Sequence, residues 1–209
     1  IESLEGLVLV DSGFSPEFPN LTSVQNLVLN GGNAPQMEIQ TIPALDVGQA
    51  QADYSLLDGF QVGNLRIASF DGTTGPAVHV TQSVQTLESP ALANLPITLP
   101  ASFPSSPPQS VDDESTATFG ISGTGLVDLD FLGQVETWRT RISIYDNAEL
   151  SDLSGLEGAN MVLDYALPDG YSSATLHLLP SVCLSHAEQI AGTMTVPTSV
   201  TIGLVDNGC

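Results

Sequence analysis

At 209 residues the chain carries a formal net charge of −21, from 24 acids set against three arginines and no lysine. It lacks the basic stripe that phosphate contacts need, which excludes nucleic acid as a partner, and attraction to anionic membrane surfaces fails on the same count. Hydrophobic residues make up 42% of the chain and charged residues only 13%, yet no run approaches the roughly 18 apolar residues that span a bilayer, so the apolar content predicts extensive burial, subunit interfaces included.

The chain opens at Ile1 without a methionine and without a signal-peptide pattern, and is read as a processed mature form. Short β-like runs follow at Leu7 to Val10, Val24 to Leu29, Met37 to Thr41, Gln61 to Phe70 and Ala77 to Val84. Turn clusters such as Asn30-Gly31-Gly32-Asn33, Asp58-Gly59 and Asp71-Gly72 separate them, a pattern that predicts an all-β chain. The triplets Leu7-Val8-Leu9, Leu27-Val28-Leu29, Leu45-Asp46-Val47 and Leu65-Arg66-Ile67 recur about every 20 residues, a spacing that solenoid rungs would give. The residues between them share no pattern and the period is lost after Phe70. The expected fold is therefore an antiparallel β-sandwich, one large or two smaller, with at most one or two short helices.

Asp11-Ser12-Gly13, after the apolar run, resembles the Asp-Thr/Ser-Gly motif of aspartic proteases, in which two carboxylates share a proton. Its partial echo, Asp206-Asn207-Gly208, has Asn where a hydroxyl residue belongs, and Asp-Ser-Gly is also an ordinary turn after a strand. The turn is the preferred reading. Asn20-Leu21-Thr22 is an N-glycosylation sequon. His79 and His177 each sit between apolar neighbours in a β run, as histidines on the solvent face of a strand would, and no HxH, HExxH or CxxC spacing marks a metal site.

From Ser89 to Ser110 six prolines accumulate, followed by Asp112-Asp113-Glu114. Proline cannot donate to a ladder, so this stretch reads as a connection, dividing the chain into a β-rich half at 1–98, a Pro-rich and acidic link at 99–116, and a second β-rich half at 117–209. The alternative is a long crossover in one fold, with Ile97 and Leu99 packed on the sheet.

Phe119 to Asp146 holds the single Trp and two of the three arginines. Alternation from Leu126 to Phe131 puts Val127, Leu129 and Phe131 on one face, with Asp128 and Asp130 on the other. A turn at Gly133-Gln134 would set Asp128 opposite Arg139, with Asp130 and Arg141 diagonal to them and Leu129 opposite Trp138. The rival is one long strand through Gly133. Arg139 and Arg141 form either an intramolecular ladder with Asp128 and Asp130 or a patch that recognises acids on a neighbouring copy.

Beyond the central stretch, Asn147 to Gly158 reads as a short helix or loop. Asn160 to Ala166 and Ser172 to Leu179 read as a second hairpin through Leu167-Pro168-Asp169-Gly170. Ser185 and Glu188 have capping-box spacing, so Leu184 to Ala191 is the expected helix. Thr193 to Val205 is the last β run. Cys183 and Cys209 are expected to form a disulfide, which for a loop of this size contributes roughly 3 kcal/mol and points to an exported protein.

Calcium is the cofactor to weigh, because Asp112, Asp113, Glu114, Asp128, Asp130 and Asp146 cluster, although no DxDxDG loop occurs. Neither a catalytic constellation nor a cofactor motif can be argued from spacing. The function expected is a secreted or cell-surface structural protein that self-associates as a filament, surface-layer or matrix subunit, without catalytic activity. An extracellular glycan- or ligand-binding module, with or without calcium, is the alternative. An acid hydrolase using Asp11 stands third.

Overall fold

The computed structural model describes residues 2–10, 15–49, 54–105, 118–145, 147–161, 175–178, 192–193 and 201–204. Among the described residues, nine strands lie side by side in one sheet: β1 (Ser3–Val10), β3 (Ser23–Asn30), β5 (Thr41–Gly48), β6 (Gln61–Ala68), β7 (His79–Leu87), β9 (Thr118–Ser122), β11 (Arg141–Tyr145), β13 (Thr175–Leu178) and β14 (Thr201–Leu204). Every neighbouring pair is parallel. Two smaller parallel sheets join β8 (Ser102–Phe103), β10 (Thr137–Trp138) and β12 (Asn160–Met161), and β2 (Glu17–Phe18) with β4 (Gln36–Met37). This is a β-solenoid, which overturns the antiparallel sandwich. Parallel neighbours cannot be joined by a tight hairpin and need a crossover; here the remainder of each rung supplies it.

The triplets explain the stacking. Leu7, Leu27, Leu45, Leu65 and Val84 share one register across five strands, and Leu9, Leu29, Val47, Ile67 and Thr86 share the register two residues on. Strand side chains alternate between faces, so the first and third residue of each triplet enter the core and the middle one faces out. Leu27, Leu29, Val47 and Ile67 are fully buried. The ladder continues with Val84 opposite Phe119, Phe119 opposite Ile142, and Ile121 opposite Ile144. The sheet therefore runs unbroken through β7, β9 and β11, while Ile97 and Leu99 of the Pro-rich stretch are buried in the same core.

The corner after the long strands is also repeated. Gly31, Gln49, Ser69, Glu88 and Gly123, each directly after the end of β3, β5, β6, β7 or β9, have φ between 51° and 73°. Only Gly adopts this left-handed conformation freely, and a side chain there costs roughly 1–2 kcal/mol, which the rung stacking on both sides must offset. Beyond the corner, Ser89, Thr124 and Asn147 form a buried polar column. Ser89 pairs with Thr124 in a parallel bridge, and its hydroxyl accepts from the Phe70 N–H at 3.1 Å and donates to the Leu87 carbonyl at 3.0 Å.

The central stretch is not a hairpin. Leu126 and Leu129 are buried while Val127 is 50% exposed, and Asp130–Gln134 is a 3-10 turn that contains the supposed Gly133-Gln134 corner. Trp138 pairs in parallel with Phe103 and Met161 rather than with Leu129. Its ring lies 5.1 Å from Phe119 and 5.7 Å from Phe103 edge-on, in the core, although the expected pairing with Leu129 does not form. At the second expected hairpin, β12 pairs with β10 and β13 with β11 and β14, all parallel. The connection at 162–174, the expected helix at 184–191, and Cys183 and Cys209 with their disulfide lie outside the described residues.

Candidate functional site

The outward middle residues of the triplets build the most structured surface on the sheet. In register, Val8, Val28, Asp46, Arg66 and Gln85 stand in one row across five strands, and Gly6, Asn26, Ala44, Asn64 and Ser83 stand in the row two residues earlier. Arg66 Nη1 donates to Asp46 Oδ2 at 2.9 Å across β6 and β5. In the adjoining row Ser83 Oγ donates to Asn64 Oδ1 at 2.8 Å, and Asn64 Nδ2 donates to the Pro43 carbonyl at 3.2 Å. With side-chain exposures of 49% and 32%, the ion pair contributes only about 0–1 kcal/mol; its effect is to hold two charged groups in one orientation.

Small side chains deepen the face on either side of that pair. A groove of about 310 Å³ lies over Ala44, with Asn26, Asn64, Ser83 and Gln85 around it and Asp46 and Arg66 as its wall. A second, of about 360 Å³, lies over Gly48 and Ala68 on the far side of the same pair. Asp46 and Arg66 thus belong to both. A third groove, of about 260 Å³, sits away from this face between the 93–97 segment and Leu126, Asp128, Asp130 and Phe131.

The expected site residues fall in different places. Asp128 Oδ1 accepts from the Asp130 N–H at 3.2 Å, and Asp130 Oδ1 accepts from Ser154 Oγ at 3.4 Å, so both acids are tied into turns of neighbouring rungs. Arg139 donates its backbone N–H to the Phe103 carbonyl at 2.7 Å, and Arg141 stands in register with Thr118 at the start of β11. The register that would oppose Asp128 to Arg139 is absent. Asn20 is exposed in the turn between β2 and β3, where a sequon is accessible. His79 Nδ1 lies 2.9 Å from Thr98 Oγ1, and His177 shares backbone register with Ser143 and Gly203. Asp11, Asp112, Asp113, Glu114, Asp146 and Asp206 lie outside the described residues. Among the described residues no three His, Cys, Asp or Glu side chains converge as a metal site would require, and no helix is long and apolar enough to cross a membrane.

No family model matches this chain, and comparison with curated proteins and with solved structures gives no match.

The triplets name Asp46 and Arg66 as middle residues but do not by themselves show that the two are partners. The signal was present: both are middle residues of consecutive triplets, and a parallel register makes such positions neighbours.

One buried ionisable group stands apart from these surfaces. Tyr54 is 8% exposed, its ring lies 6.1 Å from Phe70, and its hydroxyl has no hydrogen-bond partner among the described residues. Burial first, and the charge of Asp71 second, push its pKa up to about 12. An unfolded tyrosine ionises near 10. The folded state thus keeps a proton that the unfolded chain releases, so this contribution to stability is complete below about pH 10 and is lost as the pH rises toward 12. Ultraviolet titration is expected to show one of the four tyrosines ionising last, and Tyr54→Phe to remove that step and flatten the loss of stability between those pH values.

Proposed function

We propose that this protein is a structural, self-associating component of an extracellular or cell-surface assembly, a rigid solenoid without catalytic activity that associates by strand addition at β1. The observation that carries this reading is the state of β1. Leu7 and Leu9 remain only partly buried, whereas Leu27 and Leu29, their partners in register, are completely covered. On the outer face of the same strand Val8 is 60% exposed and Val10 is 55% exposed. Among the described residues β1 pairs with β3 alone, and the other edge of this eight-residue strand offers backbone donors and acceptors beside partly covered aliphatic side chains. Repeat folds bury their ladders by stacking further rungs or a cap, and a long apolar edge is a template for strand addition.

Secretion fits the absence of lysine and the two cysteines of the sequence. Lysine at an edge strand opposes pairing, so the double variant Val8→Lys, Val10→Lys is expected to remain monomeric with an unchanged circular dichroism spectrum. The native chain is expected to scatter light increasingly with concentration and to form elongated particles in electron micrographs. A native chain that stays a monodisperse monomer at every concentration and pH would sink the proposal.

A further inference from the structure

We propose that the outer face of β3, β5, β6 and β7 binds a neutral, hydroxyl-rich glycan chain laid across the strands, parallel to the solenoid axis. A sugar hydroxyl both donates and accepts, so its site must offer both functions at close spacing. The groove over Ala44 does so: the amides of Asn26 and Gln85 stand at its two ends, and the Asp46 carboxylate and Arg66 guanidinium form one wall. The guanidinium has five N–H donors and the carboxylate about four acceptor positions, so their mutual bond at 2.9 Å orients both groups and leaves each with capacity for a ligand. The Ser83–Asn64 hydrogen bond fixes the opposite wall in the same way. Ala44 supplies an apolar floor for C–H faces.

The direction of the ligand follows from the fold. Parallel strands are spaced about 4.8 Å apart, close to the length of one hexose unit in an extended chain, and each strand step presents a new outward side chain. A linear glycan crossing β3 to β7 therefore meets one rung per sugar. The charge of the ligand follows from the protein. Arg66 is paired with Asp46, so the groove is locally neutral, while the net charge of −21 repels an anionic polymer. A neutral glycan escapes that repulsion. This inference does not rest on strand addition at β1, because a monomer presents the whole groove.

The test is calorimetric titration of the intact chain with cellohexaose, chitohexaose and β-1,4-mannohexaose, with heparin hexasaccharide and hexalysine as charged controls. At least one neutral hexasaccharide is expected to bind with a Kd of about 1 mM or tighter. Arg66→Ala is expected to weaken it by about tenfold, and Ala44→Phe, which fills the groove from a position at the surface, to abolish it. Gln61→Ala, at an exposed position of β6 outside the groove, leaves binding unchanged, and circular dichroism confirms that all three variants keep the fold. Absence of binding by the native chain overturns the proposal. So does binding that survives in both groove variants, or binding confined to heparin or hexalysine.

Discussion

Trp138→Ala is expected to destabilise the protein by about 3–5 kcal/mol, the range for deleting a large buried aromatic side chain. Domains of this size are held by only about 5–15 kcal/mol, so one substitution removes a large share of the total. Trp138 is completely buried, and its indole meets Phe103 and Phe119 edge-on while Phe119 also packs against Phe131 at 6.5 Å. These rings come from β8, β9, the 3-10 turn and β10, so they join the wall of short strands to the main sheet. A cavity there separates the two walls and cannot be closed by moving one side chain. The indole N–H has no hydrogen-bond partner among the described residues, so Trp138→Phe removes an unsatisfied donor along with some volume and is expected to cost well under half as much. Urea denaturation followed by far-ultraviolet circular dichroism measures both, since the substitutions remove the only tryptophan. Equal losses for Ala and Phe would show that the ring cluster is not what joins the walls.

That Trp138 belongs to the core was legible from its apolar parity with Ile142 and Ile144, and all three are buried. What surrounds it was not. The same alternation of apolar and polar residues marks a strand with one buried face whether its neighbour runs parallel or antiparallel. Gly133-Gln134 has the composition of a hairpin corner, yet the Gln134 side chain is used otherwise: its Nε2 donates to the Phe131 carbonyl and its Oε1 accepts from the Leu99 N–H. A turn signal identifies a change of chain direction but not which strand comes next in the sheet.

The repeat of triplets is visible in four rungs of the sequence, and its fixed period is lost after Phe70. The physical reason is that only the two inward residues of each triplet are constrained, and only to be apolar or self-satisfied. Val84-Gln85-Thr86 continues the series: Thr86 replaces an aliphatic residue, its hydroxyl accepting from the Ser122 N–H at 2.8 Å and donating to the Ser122 carbonyl at 3.1 Å. Phe119-Gly120-Ile121 follows only after the Pro-rich stretch, and Ile142-Ser143-Ile144 after a further loop. Insertions lengthen rungs without altering register, so a fixed period fails while the ladder persists. The Asp46–Arg66 pair and its grooves became visible only once parallel register turned residues 20 apart in sequence into neighbours.

Asn147 is the polar residue that this register makes indispensable, and its replacement separates hydrogen bonding from packing. It is completely buried; its Oδ1 accepts from the Thr124 N–H at 3.1 Å and from Thr124 Oγ1 at 2.7 Å, and its Nδ2 donates to the Ile121 carbonyl at 3.0 Å. One side chain thus ties the corner after β11 to the corner after β9. Asn147→Leu nearly conserves volume but removes the partners of the Thr124 N–H, the Thr124 hydroxyl and the Ile121 C=O, the backbone groups each at about 1–3 kcal/mol, and is expected to cost on the order of 3 kcal/mol in urea denaturation. Asn147→Asp keeps the acceptor for Thr124, and in its protonated form can still donate to the Ile121 carbonyl. Burial disfavours the carboxylate, so the new group's folded pKa rises above the usual value of about 3.9. Its stabilising form is present below the unfolded pKa and is lost as the pH rises through the folded one. Asn147→Asp should therefore stay closest to the native protein at and below about pH 4 and fall toward the Leu variant as the pH rises through the raised folded pKa. A Leu variant as stable as the native protein, or an Asp variant with no pH-dependent loss relative to it, would show that the rungs are registered by their aliphatic ladder alone.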